Sequence, residues 1–335
     1  MFAPALKDNC DPLLCTVAVQ AGAVMTSLLT PWAPETRALW GNAPLKLGHT
    51  LNTSPLFSRQ ALVDLIDAYP RSHYALVHMG GQKDKRLWQE GEIGTLTGAD
   101  VIEAIAKGRM WLNLRDVSTI DARYKTALDE MFATLAERLP GFDAPRRSCG
   151  ILISSPNAQV YYHADLPGQA LFQIEGVKRV YVYPNTPPFI TPEHLEDIAL
   201  FDMELDVPYA AWYDQHARVH DLHPGEFLHW PLNAPHRVEN LDCLNVSMTV
   251  SYATETIKRA QTVNLANGIL RHRLGMKRPG RSLAGVPYWA KAVLQKGMRD
   301  MGWVKRERAK RREVAFRLDA KHLGAIELVN LQAAE

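Results

Sequence analysis

Two polar residues one position apart, His163 and Asp165, close the aromatic stretch "AQVYYHAD", and a third, His236, opens "HRVENL" some seventy residues later. In an extended strand residues i and i+2 share a face, so an imidazole and a carboxylate at this spacing can aim at one point. His236 follows "PGEFLHWPLNAP", in which a Pro-Gly turn, a strand and a second turn return the chain toward the same place. Two neutral imidazoles and one carboxylate on one side of an ion form the donor set suited to Fe(II), with adjacent positions open for a chelating cosubstrate and for dioxygen. Zinc is less favoured: its sites are tetrahedral and often carry thiolates, and Cys10, Cys15, Cys149 and Cys243 form no CxxC pair. His216, His220, His223 and His229 compete with His236. The first three fall in or beside a long polar excursion and read as solvated. His229, between Leu228 and Trp230, reads as a packed, hydrogen-bonded core histidine and is the alternative third ligand.

Lys178 opens "KRVYVYP" and shares its strand face with Val180 and Val182. A lysine heading an apolar row is costly unless its ammonium is paired. A ligand carboxylate, such as the distal one of 2-oxoglutarate, would pair it; otherwise the side chain snorkels to water. In "NVSMTVSY", Val246, Met248, Val250 and Tyr252 alternate with Asn245, Ser247, Thr249 and Ser251. One face is apolar and expected to pack outward. The other is rich in hydroxyls, as for a strand lining a wet, ligand-filled cavity.

The elements that must position these residues fall into three regions. Residues 1–145 read as mixed α/β: a strand in "PLKLGHTL", a helix "RQALVDLIDAY" capped by Ser58, a strand "HYALVHM" bounded by Gly80 and Gly81, a helix opened by Thr97 or Asp100 and ended by Gly108, a strand "RMWLNLRDV", and a long amphipathic helix closed by Pro140-Gly141. Residues 146–256 break into short strands split by turn residues, the spacing of an antiparallel barrel or sandwich. An acidic, Pro-rich excursion over residues 185–222 interrupts them, long enough to serve as a lid. Residues 257–335 read as basic helices to the end.

Together "YYHADLPGQALFQIEGVKRVYVYP" and "PGEFLHWPLNAPHRVEN…NVSMTVSY" resemble the JmjC-type, cupin-like Fe(II)/2-oxoglutarate oxygenases, nearest the asparaginyl-hydroxylase branch. The resemblance covers roughly Ser148 to Thr256. It implies a double-stranded β-helix (a cupin, or jelly-roll, barrel) between an N-terminal α/β region and C-terminal helices. It implies iron held by His163, Asp165 and His236, with Lys178 on the far carboxylate of 2-oxoglutarate. Ser251 would occupy a cosubstrate-side position usually held by Asn, and Thr249 shares its face. Val160 departs from the branch, which carries there a hydroxyl residue that also binds 2-oxoglutarate; Tyr161, on the face of His163, is the candidate replacement. The implied reaction consumes 2-oxoglutarate and dioxygen, releases succinate and CO2, and hydroxylates a C–H bond. A peptide or protein side chain is the expected substrate, a small metabolite the alternative. A different class of function is a non-catalytic cupin-fold binding protein.

At 335 residues with 47% apolar and 22% charged residues, the composition is that of a soluble globular chain. The formal charge of +2 conceals an asymmetry, since residues 257–321 hold 18 Lys and Arg against 4 Asp and Glu. The basic cluster of Arg306, Arg308, Lys310, Arg311 and Arg312 could contact nucleic acid, but a helix docked on the acidic excursion is the preferred reading. "YWAKAVLQKGMRDMGW" is apolar enough for a homodimer contact, which the family resemblance also implies. The N-terminus lacks a basic leader, and the apolar run Thr16–Leu29 is too short to span a bilayer. With so few cysteines, the expected compartment is the cytoplasm.

Overall fold

The computed structural model describes residues 27–79, 88–202, 207–309 and 314–329. Cys10, Cys15, the Gly80-Gly81 boundary and Lys310, Arg311 and Arg312 lie outside the described residues, as does most of the apolar run from Thr16. The N-terminal region supplies β1 (Leu45–Gly48), α1 (Arg59–Ala68), β2 (Tyr74–His78), β3 (Gln89–Glu92), α2 (Gly98–Lys107), β4 (Met110–Leu114), α3 (Val117–Ile120) and α4 (Ala122–Arg138). Helix starts follow from side-chain caps: the Ser58 hydroxyl accepts from the Ala61 N–H at 3.3 Å, and that of Thr97 from Asp100 at 3.2 Å.

The barrel follows as β5 (Arg146–Ser154), β6 (Gln159–His163), β7 (Gly168–Glu175), β8 (Lys178–Val182), α5 (Pro192–Phe201), β9 (Arg218–Leu222), β10 (Glu226–His229), β11 (His236–Asn240) and β12 (Asn245–Ala253). Strands β10-β7-β12-β5 form one wall and β6-β11-β8-β9 the other, which is the double-stranded β-helix. The first wall does not end at the barrel. It continues through β4, β2, β3 and two C-terminal strands on one side and takes β1 on the other, giving a ten-stranded sheet.

Alternation along β12 divides the interior. Val246, Met248, Val250 and Tyr252 join the large core behind the ten-stranded sheet, with Phe132 of α4 and Ile151 of β5. Asn245, Ser247, Thr249 and Ser251 therefore face the other wall. Between the walls a smaller apolar cluster, with Leu171, Val180, Val182, Leu228 and Val238, fills the middle of the barrel.

After the barrel come α6 (Glu255–Leu274), α7 (Gly285–Asp300), α8 (Trp303–Ala309), β13 (Val314–Leu318) and β14 (Ile326–Leu328). Here the sequence reading needs correction, because the chain is not helical to its end. In "VAFRL" Phe316 and Leu318 alternate with Ala315 and Arg317, and that period of two lets β13 pair in parallel with β3 and bury Phe316. Likewise the excursion over residues 185–222 contains β9, which closes the smaller sheet through "RVHDL".

The basic α6 packs on the acidic excursion. Glu196 of α5, 1% exposed, accepts from Arg271 Nε at 3.0 Å, Arg281 Nη1 at 2.6 Å and Asn267 Nδ2 at 3.2 Å. Arg271 also pairs with Asp197, and Arg308 reaches the carbonyls at the end of α5. Gly268 permits the close approach, since a Cβ there would lie 2.7 Å from the Glu196 carbonyl oxygen.

Candidate metal and cosubstrate site

His163 ends β6 and His236 begins β11, and the two stand directly opposite in register. Their ring centroids are 4.1 Å apart. A bulge displaces the pairing by one residue between that pair and Val238↔Val160. Both His163 and Val160 can then face inward, a common device for re-aiming a side chain beside a site. Asp165 follows just beyond the strand. Its carbonyl accepts from Asn233 Nδ2 at 2.7 Å, which ties the two turns together. Ligand-capable atoms of His163, Asp165 and His236 all lie within 4.8 Å of one another, the one such group among the described residues.

Hydrogen bonds set the tautomers. His163 Nδ1 lies 2.7 Å from the Tyr161 carbonyl and His236 Nδ1 lies 3.1 Å from that of Ala234. A carbonyl only accepts, so each Nδ1 carries a proton, and in the neutral ring Nε2 is then the atom with the lone pair. His236 Nε2 is 3.4 Å from Asp165 Oδ2, which sets a lone pair against a carboxylate. Burial pushes the Asp165 carboxyl up, with His163 opposing, while burial and the neighbouring His163 push His236 well below the usual imidazole range. Two imidazoles and a carboxylate converging in this way fit a divalent cation. Trp230, 4.5 Å from His236 between ring centroids, backs the site.

His229 points away from it. On the opposite face of β10 it stacks on Trp40 at 3.8 Å and its Nε2 meets the Tyr252 hydroxyl at 2.9 Å. Burial lowers its pKa to about 3. His229 is a core residue, as its apolar flanks suggested, and His220 and His223 lie on and after β9 away from the cluster.

Lys178 is buried at the far end of the same wall, opposite Asn240 as His236 is opposite Val182. Four residues at about 3.3 Å each put its backbone roughly 13 Å from that of the histidine level. Its ammonium makes no hydrogen bond or ion pair among the described residues, and burial lowers its pKa to about 7. On the facing wall Ser251 donates to Gln169 Oε1 at 3.1 Å near the histidine end. Ser247 donates to Gln173 Oε1 at 2.8 Å near the lysine end, and Thr249 lies between them. Tyr161 approaches Trp88 with ring centroids 6.3 Å apart.

Sequence reasoning missed two inner-facing residues of β4, Trp111 and Asn113. A Cβ at Gly150 would lie 3.0 Å from Asn113 Oδ1 and 3.1 Å from Thr249 Oγ1, so both side chains lean over that glycine. Asn113 Oδ1 and Trp111 Nε1 are buried without hydrogen-bond partners. The signal was an asparagine between Leu112 and Leu114, but only the pairing of β4 with β5 shows that this strand borders the barrel.

The structure of E. coli YcfD superposes on this chain with a TM-score of 0.50 at 17% identity, covering 87% of this chain and 76% of that one. The chain has the JmjC-type double-stranded β-helix fold. Two further structures of YcfD, described as a ribosomal oxygenase, contain cobalt with 2-oxoglutarate or with succinic acid. They match at TM-scores of 0.47 and 0.48, each at 17% identity over 87% of this chain and 75% of that one. Neither a protein-family model nor a curated protein matches the sequence.

Proposed function

We propose that this protein is an Fe(II)- and 2-oxoglutarate-dependent oxygenase that hydroxylates a C–H bond, with a peptide or protein side chain as substrate. The observation that carries the reading is the convergence of His163, Asp165 and His236 with both Nδ1 protons committed to carbonyls. Iron bound there would supply the activation of dioxygen, coupled to conversion of 2-oxoglutarate to succinate and CO2. The chain's own groups do the positioning. The Nδ1–H bonds hold each imidazole in its ligating tautomer. Lys178 binds the distal carboxylate of the cosubstrate at the closed end, so that the keto-acid end reaches the triad. Leu171, Val180, Val182 and Val238 form a dry wall between the two ends. Thr249 and Ser251 line the facing wall, and Tyr161 stands at the β6 bulge.

The intact triad favours turnover over a non-catalytic cupin-fold binding role. A small-molecule substrate remains the second reading for the substrate alone. The fold neighbour described as a ribosomal oxygenase accords with a protein substrate. Nucleic-acid contact through residues 305–312 is disfavoured because Arg308 is engaged by α5. A homodimer forms through α7, where Val286, Trp289 and Val293, each more than half exposed, make one apolar stripe opposite Tyr288 and Lys291.

Anaerobic iron titration of purified protein, together with succinate release in air, tests the reading. Substituting His163, Asp165 or His236 by Ala is expected to weaken iron binding and abolish succinate formation, while His229→Ala costs stability and leaves iron bound. Full iron binding by the Asp165 and His236 variants would overturn the assignment.

A further inference from the structure

We infer that Arg237 is a positioning residue for the metal ligand His236, and that the acidic excursion supplies its anchor. The inference rests on the metal-site reading above. His236 and Arg237 are neighbours on β11 and so project from opposite faces of the strand, the imidazole inward and the guanidinium outward. A side chain fixed on one face therefore fixes the direction of the other. The need for such a fixture comes from the bulge. Strand β11 pairs regularly with β8, from His236↔Val182 to Asn240↔Lys178. Against β6 the register slips: His236 stands opposite His163 but Val238 opposite Val160, so two steps on β11 span three on β6. Arg237 is the β11 residue at the slip. A strand held firmly along one edge and loosely along the other can turn about the firm edge, and that turn would swing His236 away from His163 and Asp165.

The Arg237 side chain, 16% exposed, opposes that turn. Its Nε donates to the Tyr183 hydroxyl at 2.8 Å and its Nη2 to Asp214 Oδ2 at 2.8 Å, while the Tyr183 hydroxyl donates to Asp214 Oδ1 at 2.5 Å. These three bonds close on one another. Nη1 pairs with Glu239, and the guanidinium carbon lies 3.4 Å from the Tyr181 ring centroid. Tyr183 follows β8, and Asp214 sits in the short 3-10 helix Ala211–His216 of the excursion. The guanidinium thus joins β11, the end of β8 and the excursion at one point behind the triad. Charge-assisted bonds from a planar fork fix direction as well as distance. A pair of the same chemistry stands farther along the same sheet. Arg179 Nε and Nη2 donate to Asp221 at 2.7 and 2.8 Å, but Arg179 lies opposite Glu239 rather than at the histidine level, and its pair joins only β8 and β9.

The test is titration of metal-free protein with Co(II) alone, read by calorimetry and by the visible absorption bands of the bound ion, with urea unfolding of each variant. Arg237→Gln is expected to weaken Co(II) binding on the order of tenfold and to alter the bands. Arg179→Gln is expected to lower the urea midpoint while leaving Co(II) affinity and bands as in wild type. Asp214→Asn keeps Arg237 and removes the charge from its anchor. It is expected to shift affinity and bands in the same direction by less, and it decides the matter if Arg237→Gln does not fold. Wild-type affinity and bands in Arg237→Gln, or in Asp214→Asn where that variant decides, overturn the inference. An equal loss of Co(II) binding in Arg179→Gln also overturns it, since any weakening of the sheet would then suffice. Failure of the wild type to bind Co(II) overturns the metal-site reading and this inference with it.

Discussion

An ammonium among Val180, Val182 and Leu222, with no counter-ion among the described residues, is unfavourable in the folded protein, and its titration shows how. Burial lowers the Lys178 pKa to about 7, whereas an unfolded lysine keeps its proton to about 10.4. Between those values the unfolded chain binds the extra proton, so this residue's penalty is full below about pH 7 and fades as pH rises toward 10. Lys178→Met is therefore expected to raise the melting temperature at pH 6 and to change it little near pH 10. The same proton is needed to hold a carboxylate. Affinity for 2-oxoglutarate in the wild type should fall as pH rises above about 7, and in Lys178→Met it should be lower by ten- to a hundredfold at neutral pH and lose that pH dependence. Unchanged affinity in the variant, measured by anaerobic titration, would return Lys178 to a structural role.

At the scale of elements, the contact of α5 with α6 turns a charge imbalance into an interface. Glu196 is almost wholly buried, while its partners Arg271 and Arg281 keep 22% and 37% side-chain exposure. Partial solvation of the two guanidinium groups discounts the loss expected on breaking a fully buried pair. Glu196→Ala should cost about 2 kcal/mol, read as a lower urea midpoint, with faster amide exchange in α5. A midpoint equal to wild type would show that these pairs behave as surface pairs. The same interface draws in cations of the basic C-terminal region: Arg271, Arg281 and Arg308 all end on α5 or its side chains.

For the whole molecule, one long sheet makes the N-terminal strands and β13 part of the scaffold that carries the site. Among the described residues no helix is long and apolar enough to cross a membrane. The apolar stripe of α7 is then the outward feature that calls for a partner, since Val286, Trp289 and Val293 recur at spacings of three and four on one face. Trp289→Glu would place a charge in the middle of the proposed dimer contact. Sedimentation equilibrium is expected to show a concentration-dependent dimer for wild type and a monomer for the variant over the same range. Identical monomers in both would overturn the proposed dimer.

The amino-acid sequence by itself determined the parts governed by local rules. The i, i+2 spacing of His163 and Asp165, the turn before His236, the apolar flanks of His229 and the alternation of β12 all depend on strand periodicity, which short stretches display. Ser58 and Thr97 marked helix starts for the same reason, because capping is settled within three or four residues. What only the tertiary structure decided was non-local pairing. Strand β9 hid inside a polar excursion, and β13 hid behind a basic helix, since each becomes a strand by pairing with a distant partner. The roles open to Trp111 and Asn113 depend on β4 lying beside β5, and the pairing of Arg271 and Arg281 with Glu196 depends on α5 meeting α6. Neither juxtaposition has a signature in the residues nearby, because hydrogen bonding and burial across a sheet are decided by which strands become neighbours.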